Sequence, residues 1–68
     1  MDIKDIIAKN IKSIRKEKWI WQEALARMAG IHRTHISLIE RAKSNVTIDV
    51  LEKIARALGI KMKDIITE

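Results

Sequence analysis

Residues 22–42, QEALARMAGIHRTHISLIERA, decide how this chain folds. The stretch opens with good helix formers, and Gly30 then supplies a residue that readily takes the positive φ angle with which many helices end. A second helix is predicted to begin at Arg33 and to run to about Ala42. A helix that stops at glycine and is followed almost at once by another is the helix-turn-helix arrangement. An ordinary helical hairpin in a bundle has the same spacing, so spacing alone leaves both interpretations open.

Outside this stretch, apolar residues again recur at intervals of three and four, which is the period of an α-helix. A first helix is predicted over about 2–18, a fourth over 47–59 with Thr47 and Gly59 as its caps, and a fifth over 62–67. The residues predicted to be buried are Ile3, Ile6, Ile7, Ile11, Ile14, Leu25, Ala26, Met28, Ile36, Ile39, Val50, Leu51, Ile54, Ala55 and Leu58. Proline is absent and no linker is evident, so we predict one all-α domain over residues 1–68 with its helix-turn-helix at about 22–42.

The composition limits the classes of protein that are consistent with the chain. A domain of 68 residues buries only about 60% of the surface of its unfolded chain, so a second copy is an obvious source of further stability. Cysteine is absent, which excludes disulfides and thiolate zinc sites. No apolar run approaches the roughly 18 residues of a membrane span, and the acidic start lacks the layout of a signal peptide. We therefore expect a soluble, cytoplasmic protein with no membrane partner.

Positive charge is concentrated in two segments of the chain. Fourteen Lys and Arg against nine Asp and Glu give a net charge of +5. Much of the excess lies in residues 9–18 and 27–43, whose lone acidic residues are Glu17 and Glu40 respectively. A positive surface of this kind suits a polyanion such as nucleic acid. The uneven placement favours that interpretation over a merely solvated, salt-tolerant surface.

The residue types add information that spacing lacks. The chain strongly resembles the phage Cro and repressor type of helix-turn-helix family (XRE-like) in QEALA at 22–26, AGI at 29–31, RTHIS at 33–37, IERAK at 39–43, TIDVLEKIA at 47–55 and ALGI at 57–60. Within that family it looks most like the controller proteins of restriction-modification systems and stand-alone phage-like regulators. The resemblance implies a compact five-helix, lambda-repressor-like fold. It also implies a homodimer that binds a palindromic operator in double-stranded DNA and regulates transcription.

Carried onto this sequence residue by residue, the resemblance assigns DNA contacts to two groups of side chains. The base-facing positions are Arg33, Thr34 and Leu38 with His35 beside them, and the phosphate contacts are Gln22, Arg41 and Lys43. Arg33 is suited to donate two hydrogen bonds to guanine, Thr34 to bond either kind of base edge, and Leu38 to touch thymine methyls. For Leu38, an exposed leucine of no consequence is an equal alternative.

The resemblance also implies two structural roles. Arg15 and Glu40 match a pair that forms a largely buried ion pair between the first and third helices, so we expect neither to contact DNA. The dimer interface is predicted, by the same analogy and from the local density of apolar residues, at Ile60, Met62, Ile65 and Ile66.

The sequence departs from the family's pattern near the expected DNA face. Tryptophan occupies positions 19 and 21, where the family usually has glycine and then serine or threonine. Trp21 therefore forfeits up to about 1 kcal/mol of helix capping. Ala42 replaces a usual glycine, and Val46 replaces a frequent proline.

Trp19 and Trp21 support an alternative function. Tryptophan is a favoured anchor of protein interfaces, so the pair is consistent with a self-associating or designed protein-interaction scaffold that kept the fold and lost its operator. A purely structural interpretation is that Trp19 folds back over the first helix while Trp21 lies across the aliphatic part of lysine side chains. The sequence leaves these interpretations open.

His32 and His35 also depart from the pattern, replacing a common small cap residue and a common tyrosine. Standing three apart at the start of a helix, both are able to reach one metal ion, although zinc needs one or two more ligands. Such histidines more often cap a helix or touch phosphate, and we predict no metal site and no cofactor. The chain has no glycine-rich phosphate loop and no pairing of nucleophile and base, so we predict neither an enzyme nor a small-molecule substrate.

Overall fold

A computed structural model describes residues 2–68, so Met1, the first residue of the predicted domain, lies outside the described residues. Residues 2–68 form five α-helices and no β-strand, which confirms the predicted fold class. The helices are α1 (Ile3–Glu17), α2 (Gln22–Ala29), α3 (Arg33–Glu40), α4 (Ile48–Leu58) and α5 (Met62–Ile66). In this part of the chain, no helix combines the length and apolar character that crossing a membrane requires.

The first four helices end in the same backbone motif. The chain turns left-handed just past each helix, at Trp19, Gly30, Ala42 and Gly59, where φ is 58°, 69°, 58° and 68°. The backbone N–H of the next residue then donates to the carbonyl five positions earlier, at 2.9 to 3.1 Å. This Schellman motif satisfies carbonyl groups that a helix end otherwise leaves unpaired.

The motif explains why α3 is shorter than predicted. Ala42 was expected to be its last residue, but its φ of 58° is not helical. Instead the N–H of Lys43 donates back to the carbonyl of Leu38 at 2.9 Å, and the helix ends at Glu40. The high helix propensity of alanine had suggested continuation, and the hydrogen bonds of the turn override it. The predictions for α1 and α5 also ran one residue too far at the C-terminal end.

Side-chain caps mark where α1 and α4 begin. The carboxylate of Asp2 accepts from the N–H of Lys4 at 3.2 Å before α1, and the hydroxyl of Thr47 accepts from the N–H of Val50 at 3.1 Å before α4. Trp21, at the corresponding position before α2, makes no side-chain cap hydrogen bond. The predicted loss of capping at Trp21 is therefore confirmed.

All five helices contribute apolar side chains to one core. Its buried members are Ile7, Ile11, Leu25, Ala26, Ala29, Ile36, Ile39, Leu51, Ile54, Ala55, Leu58 and Ile65. Two predictions of burial are wrong, because Met28 is 55% exposed and Ile3 is 50% exposed. Met28 lies roughly 100° around α2 from the centre of the buried side, and Ala29 takes its place in the core. Ile3 lies in the first turn of α1 and remains half exposed.

A half-buried asparagine on α1 holds the C-terminal helix in place. The side-chain amide of Asn10 on α1 donates to the carbonyls of Ile65 at 2.7 Å and Thr67 at 2.8 Å. A helix of five residues is not stable alone, so α5 depends on such tertiary contacts. The sequence pattern gave no sign of this role for Asn10.

Candidate nucleic-acid interface

Helix α3 is buried on one side and faces solvent on the other. Ile36, Ile39 and Glu40 are buried, and Ile36 is fully inaccessible to solvent. With 100° between successive residues, the opposite side carries Thr34 and Leu38. This outer side is the part of the helix-turn-helix that is able to enter a groove.

The predicted base-facing residues lie at the solvent-facing part of α3. Arg33 and Thr34 are exposed, whereas His35 and Leu38 are only partly so. Arg33 and Thr34 line a shallow depression together with Ser37, which the sequence prediction did not include. The signal that would have found Ser37 is its spacing, because it lies four residues after Arg33 and three after Thr34 and therefore shares their side of the helix.

Arg15 and Glu40 form a buried ion pair between α1 and α3. Arg15 Nε lies 2.6 Å from Glu40 Oε2, and Arg15 Nη2 donates to Glu40 Oε1 at 3.0 Å. The remaining Arg15 Nη1 donates to the carbonyl of Ile20 at 2.8 Å, in the turn before α2. The guanidinium thus joins α1, α3 and the intervening turn, and its charge is turned toward the interior.

Gln22 belongs to the same network. Its side-chain nitrogen donates to Glu40 Oε1 at 3.0 Å, so the predicted phosphate contact already has one partner inside the protein. An amide nitrogen carries two N–H groups, and the second is available for a phosphate oxygen. The first N–H groups of α2 have no acceptor within the helix, and the side chain of Trp21 does not cap them. Gln22 therefore links the buried ion pair to the surface.

The two cations predicted to contact phosphates, Arg41 and Lys43, are both exposed. Arg41 Nε makes a long hydrogen bond to the carbonyl of Ser37 at 3.4 Å, and the backbone N–H of Lys43 closes the end of α3. The side chains of Arg41 and Lys43 thus stand at the C-terminal end of α3, with Arg33 at its N-terminal end. Positive charge flanks the outer side of α3 at both ends.

His32 caps α3. Its Nδ1 accepts a hydrogen bond from the backbone N–H of Thr34 at 3.2 Å, so a ring nitrogen occupies the place of the usual small cap side chain. His35 is partly buried one turn along. Within residues 2–68, no three His, Cys, Asp or Glu side chains come close enough to share a metal ion.

Both tryptophans project into solvent. Trp19 is 91% exposed and Trp21 is 80% exposed. The interpretation in which Trp19 folds over α1 and Trp21 lies on lysine stems is therefore wrong, since rings packed in that way would be largely covered. Trp19 itself has left-handed backbone, with φ at 58°, in the turn just past the end of α1.

The residues predicted for a dimer interface divide into two kinds. Ile65 is fully buried in the core of the protomer, because α5 turns it toward α1 and α4, so it offers no surface to a second chain. Ile60 and Met62 pack partly on the core, and Ile66 is 44% exposed. A partner at this end of the molecule would meet Ile60, Met62 and Ile66 but not Ile65.

These features define a class of protein. A short helix, a tight turn at Gly30 and a second helix with a free, cation-flanked outer side constitute a helix-turn-helix domain. Residues 11–65 match the helix-turn-helix family, and the chain belongs to it.

Named relatives agree with this membership. The chain is 42% identical over 67 residues to control protein C.SmaI of Serratia marcescens, covering 98% of this chain and 80% of that protein. It is 41% identical over 66 residues to control protein C.BamHI of Bacillus amyloliquefaciens, covering 96% and 82%.

A solved structure extends the comparison. The restriction-modification controller protein C.Esp1396I, bound to a 25 base pair operator site, has a TM-score of 0.84 and 39% identity, covering 90% of this chain and 80% of that one. The resemblance inferred from the sequence is confirmed, and these relatives are regulators rather than enzymes.

Proposed function

We propose that this chain is a cytoplasmic transcription regulator that binds a palindromic operator in double-stranded DNA as a homodimer. The observation that carries the proposal is the outer side of α3, which presents hydrogen-bonding side chains to solvent between cations at both helix ends. The relative C.Esp1396I has been solved on a 25 base pair operator site, which shows that this fold is compatible with a duplex of that length.

Arg33, Thr34 and Leu38 read the bases in this proposal, with His35 and Ser37 at the margins of the contact. An arginine at the start of α3, the recognition helix of this proposal, is able to donate to both O6 and N7 of one guanine. Thr34 offers a hydroxyl that either donates or accepts, and Leu38 offers an apolar surface to a thymine methyl. Sequence preference therefore comes from a few side chains on one helix.

Gln22, Arg41 and Lys43 set the position of the protein on the duplex. Such contacts to phosphates fix register and supply affinity without reading sequence. Gln22 donates one N–H to Glu40 and keeps the second for a phosphate oxygen, so the same side chain joins the buried ion pair and the phosphate contact. Arg15 and Glu40 serve this arrangement from inside the protein and make no DNA contact.

The homodimer forms, in this proposal, through Ile60, Met62 and Ile66 together with the end of α4. A twofold dimer places two recognition helices about one helical turn of DNA apart, roughly 10 to 10.5 base pairs, and two such half-sites fit within a duplex of operator length. A palindromic operator is the consequence of that symmetry.

Selection of bound duplexes from a random pool tests the proposal. We expect a palindromic motif to be enriched, with binding that weakens steeply as salt rises because neutralised phosphates release counterions. Arg33→Ala should relax discrimination at one base position by about 1 to 3 kcal/mol, whereas Lys43→Ala should weaken all sequences alike and reduce the salt slope by about 1. A pool that yields no motif would contradict the regulator function.

The dimer is tested separately by sedimentation. Ile66→Lys should shift the protein toward monomer and convert operator binding to weak half-site binding, since a charge at an apolar contact is costly to bury. Ile3→Lys is the matched control, because Ile3 is a similarly exposed isoleucine outside the predicted surface. Equal sedimentation of the two variants at the wild-type mass would place the interface elsewhere.

A further inference from the structure

The two indoles have no structural partner that explains their position. Trp19 and Trp21 are 91% and 80% exposed, and they are the only Trp, Tyr or Phe residues in the chain. Tryptophan side chains are on average highly buried, because leaving so large an apolar surface in water is unfavourable. Their exposure calls for a ligand or a partner.

Both indoles also lower the stability of the isolated chain. Trp19 takes a φ of 58°, a left-handed value that only glycine adopts without strain. Trp21 precedes α2 without supplying the hydrogen bond that a serine or threonine would give. Two locally unfavourable residues, two positions apart, thus place bulky rings on one surface, and backbone strain such as that at Trp19 concentrates at functional sites.

The surface around the rings is continuous with the DNA-binding side. One shallow cleft is lined by Arg15, Lys16, Trp19, Ile20 and Trp21. A second cleft shares Arg15, Lys16 and Trp21 with it and continues to Gln22, Glu23 and Arg33. Trp21 therefore lies between Trp19 and the first base-facing residue of α3.

The charges beside the indoles favour one occupant. Lys16 and Lys18 are exposed and close in sequence to both rings, with Glu17 between them. A second copy of this chain would bring the same lysines against these in a twofold contact, because such an interface pairs identical patches. A DNA strand instead brings phosphates to the lysines and apolar deoxyribose to the rings.

We propose that Trp19 and Trp21 bind the sugar–phosphate backbone of one DNA strand beside the groove that α3 enters. The rings pack on deoxyribose, and each indole N–H, which is a donor only, bonds a phosphate oxygen. The inference rests on the proposed DNA-binding function and extends its footprint from α3 to the α1–α2 turn. Because indoles are uncharged, this contact adds affinity without releasing counterions.

The test compares Trp19→Gly, Trp21→Thr and the double variant with the wild type on the selected duplex, by anisotropy of labelled DNA over a range of salt. Each single variant should bind about tenfold more weakly, the effect of losing one hydrogen bond with its packing. The slope of log affinity against log salt should stay unchanged, since no cation is removed. Trp21→Phe keeps a ring but lacks the N–H, so its affinity for the duplex should lie between that of Trp21→Thr and that of the wild type.

A matched control removes an exposed apolar side chain from a distant position. Ile3 is 50% exposed at the opposite end of α1, about 21 Å from its C-terminus at 1.5 Å per residue. Ile3→Ala should bind like the wild type. Failure to fold is not a confounding cause, because both tryptophan substitutions are expected to raise the free energy of unfolding.

Intrinsic fluorescence gives a second, independent readout. With no tyrosine present, emission comes from the two indoles alone, and each single variant reports on the other ring. Bound duplex should protect both rings from quenching by acrylamide. Wild-type affinity in the double variant, or rings that acrylamide still reaches on the duplex, would overturn the inference. So would variants that lose self-association and keep their affinity, which would assign the rings to a copy-to-copy contact. By contrast, a wild type that binds no duplex at all would contradict the proposed function itself.

Discussion

The ends of α2 and α4 and the ends of α1 and α3 have the same backbone but different residues. Gly30 and Gly59 close the first pair, whereas Trp19 and Ala42 close the second, all with φ between 58° and 69°. The motif is therefore imposed by the way the helices pack, whether or not the residue favours it. Trp19 lies three residues before α2 and Ala42 lies two residues after α3, so the strained turns bracket these two helices.

The pair of helices with strained ends is also the pair joined by the buried ion pair. Arg15 on α1 and Glu40 on α3 each lie within four residues of a strained turn. We interpret the ion pair as the interaction that keeps these ends in place despite their unfavourable residues. The following substitutions test this comparison.

The largest effect is expected when the ion pair is broken. Glu40→Ala leaves the buried guanidinium of Arg15 without its partner, which costs about 3 to 5 kcal/mol in the free energy of unfolding. Urea unfolding measures the loss, and a variant that is unfolded without urea meets the expectation. Replacing both partners, as Arg15→Met with Glu40→Leu, should recover most of the stability, because no charge is then stranded. A Glu40→Ala variant whose free energy of unfolding lies within about 1 kcal/mol of the wild-type value would show that packing alone holds α1 and α3 together.

Alanine at the two glycine ends should destabilise by about 1 to 2 kcal/mol each, because an L-residue resists a positive φ. No heavy atom lies within 4 Å of a Cβ added at Gly30 or Gly59, so steric clash contributes nothing and the effect is purely conformational. Thermal unfolding of Gly30→Ala and Gly59→Ala measures it. Lys53→Ala, on the exposed side of α4, is the control and should be nearly neutral. Unchanged melting temperatures would mean that the turns tolerate any residue.

Glycine at the two strained ends should instead raise the free energy of unfolding. Ala42→Gly is the same chemical change as Gly30→Ala run backwards, so it should stabilise the protein by about 1 kcal/mol. Trp19→Gly should gain a similar amount, since a ring that is 91% exposed contributes little packing. Urea midpoints of Ala42→Gly and Trp19→Gly, measured alongside those of Gly30→Ala and Gly59→Ala, show whether the gain and the loss in stability are of similar size. If both glycine substitutions destabilise, strain does not distinguish the two pairs of helix ends.

The smallest effect is expected at the start of α2. Trp21→Thr should add about 0.5 kcal/mol by supplying the missing cap hydrogen bond. Trp21→Val has the shape of the threonine variant without its oxygen and should gain nothing from capping. Equal unfolding free energies of the two variants would argue that the first N–H groups of α2 are already satisfied by water.

The helices themselves were largely predictable from the sequence. The period of apolar residues located all five, and Gly30, Thr47 and Gly59 marked boundaries through their own backbone preferences. The pairing of Arg15 with Glu40 came from the resemblance, and the structure shows that pair at 2.6 Å. Local signals sufficed wherever a residue's own preference agreed with its position.

Several features became evident only with the tertiary structure. Helix propensity gave no reason to expect a left-handed Ala42, and nothing in the sequence around Asn10 indicates that it binds carbonyls more than 50 residues away. Family analogy and the local density of apolar residues predict Ile65 at a dimer surface, but apolar character is equally typical of the core in which it lies.

The sequence by itself determined the number, order and approximate limits of the helices and the family to which the chain belongs. Those properties depend on the spacing of apolar residues and on residues with strong local preferences. Only the tertiary structure decided which turns are strained, which isoleucines remain accessible, and how Gln22 connects the buried ion pair to the surface. Each of these depends on contacts between residues that are distant in sequence, and such contacts can override local preference because packing stabilises the whole domain at once.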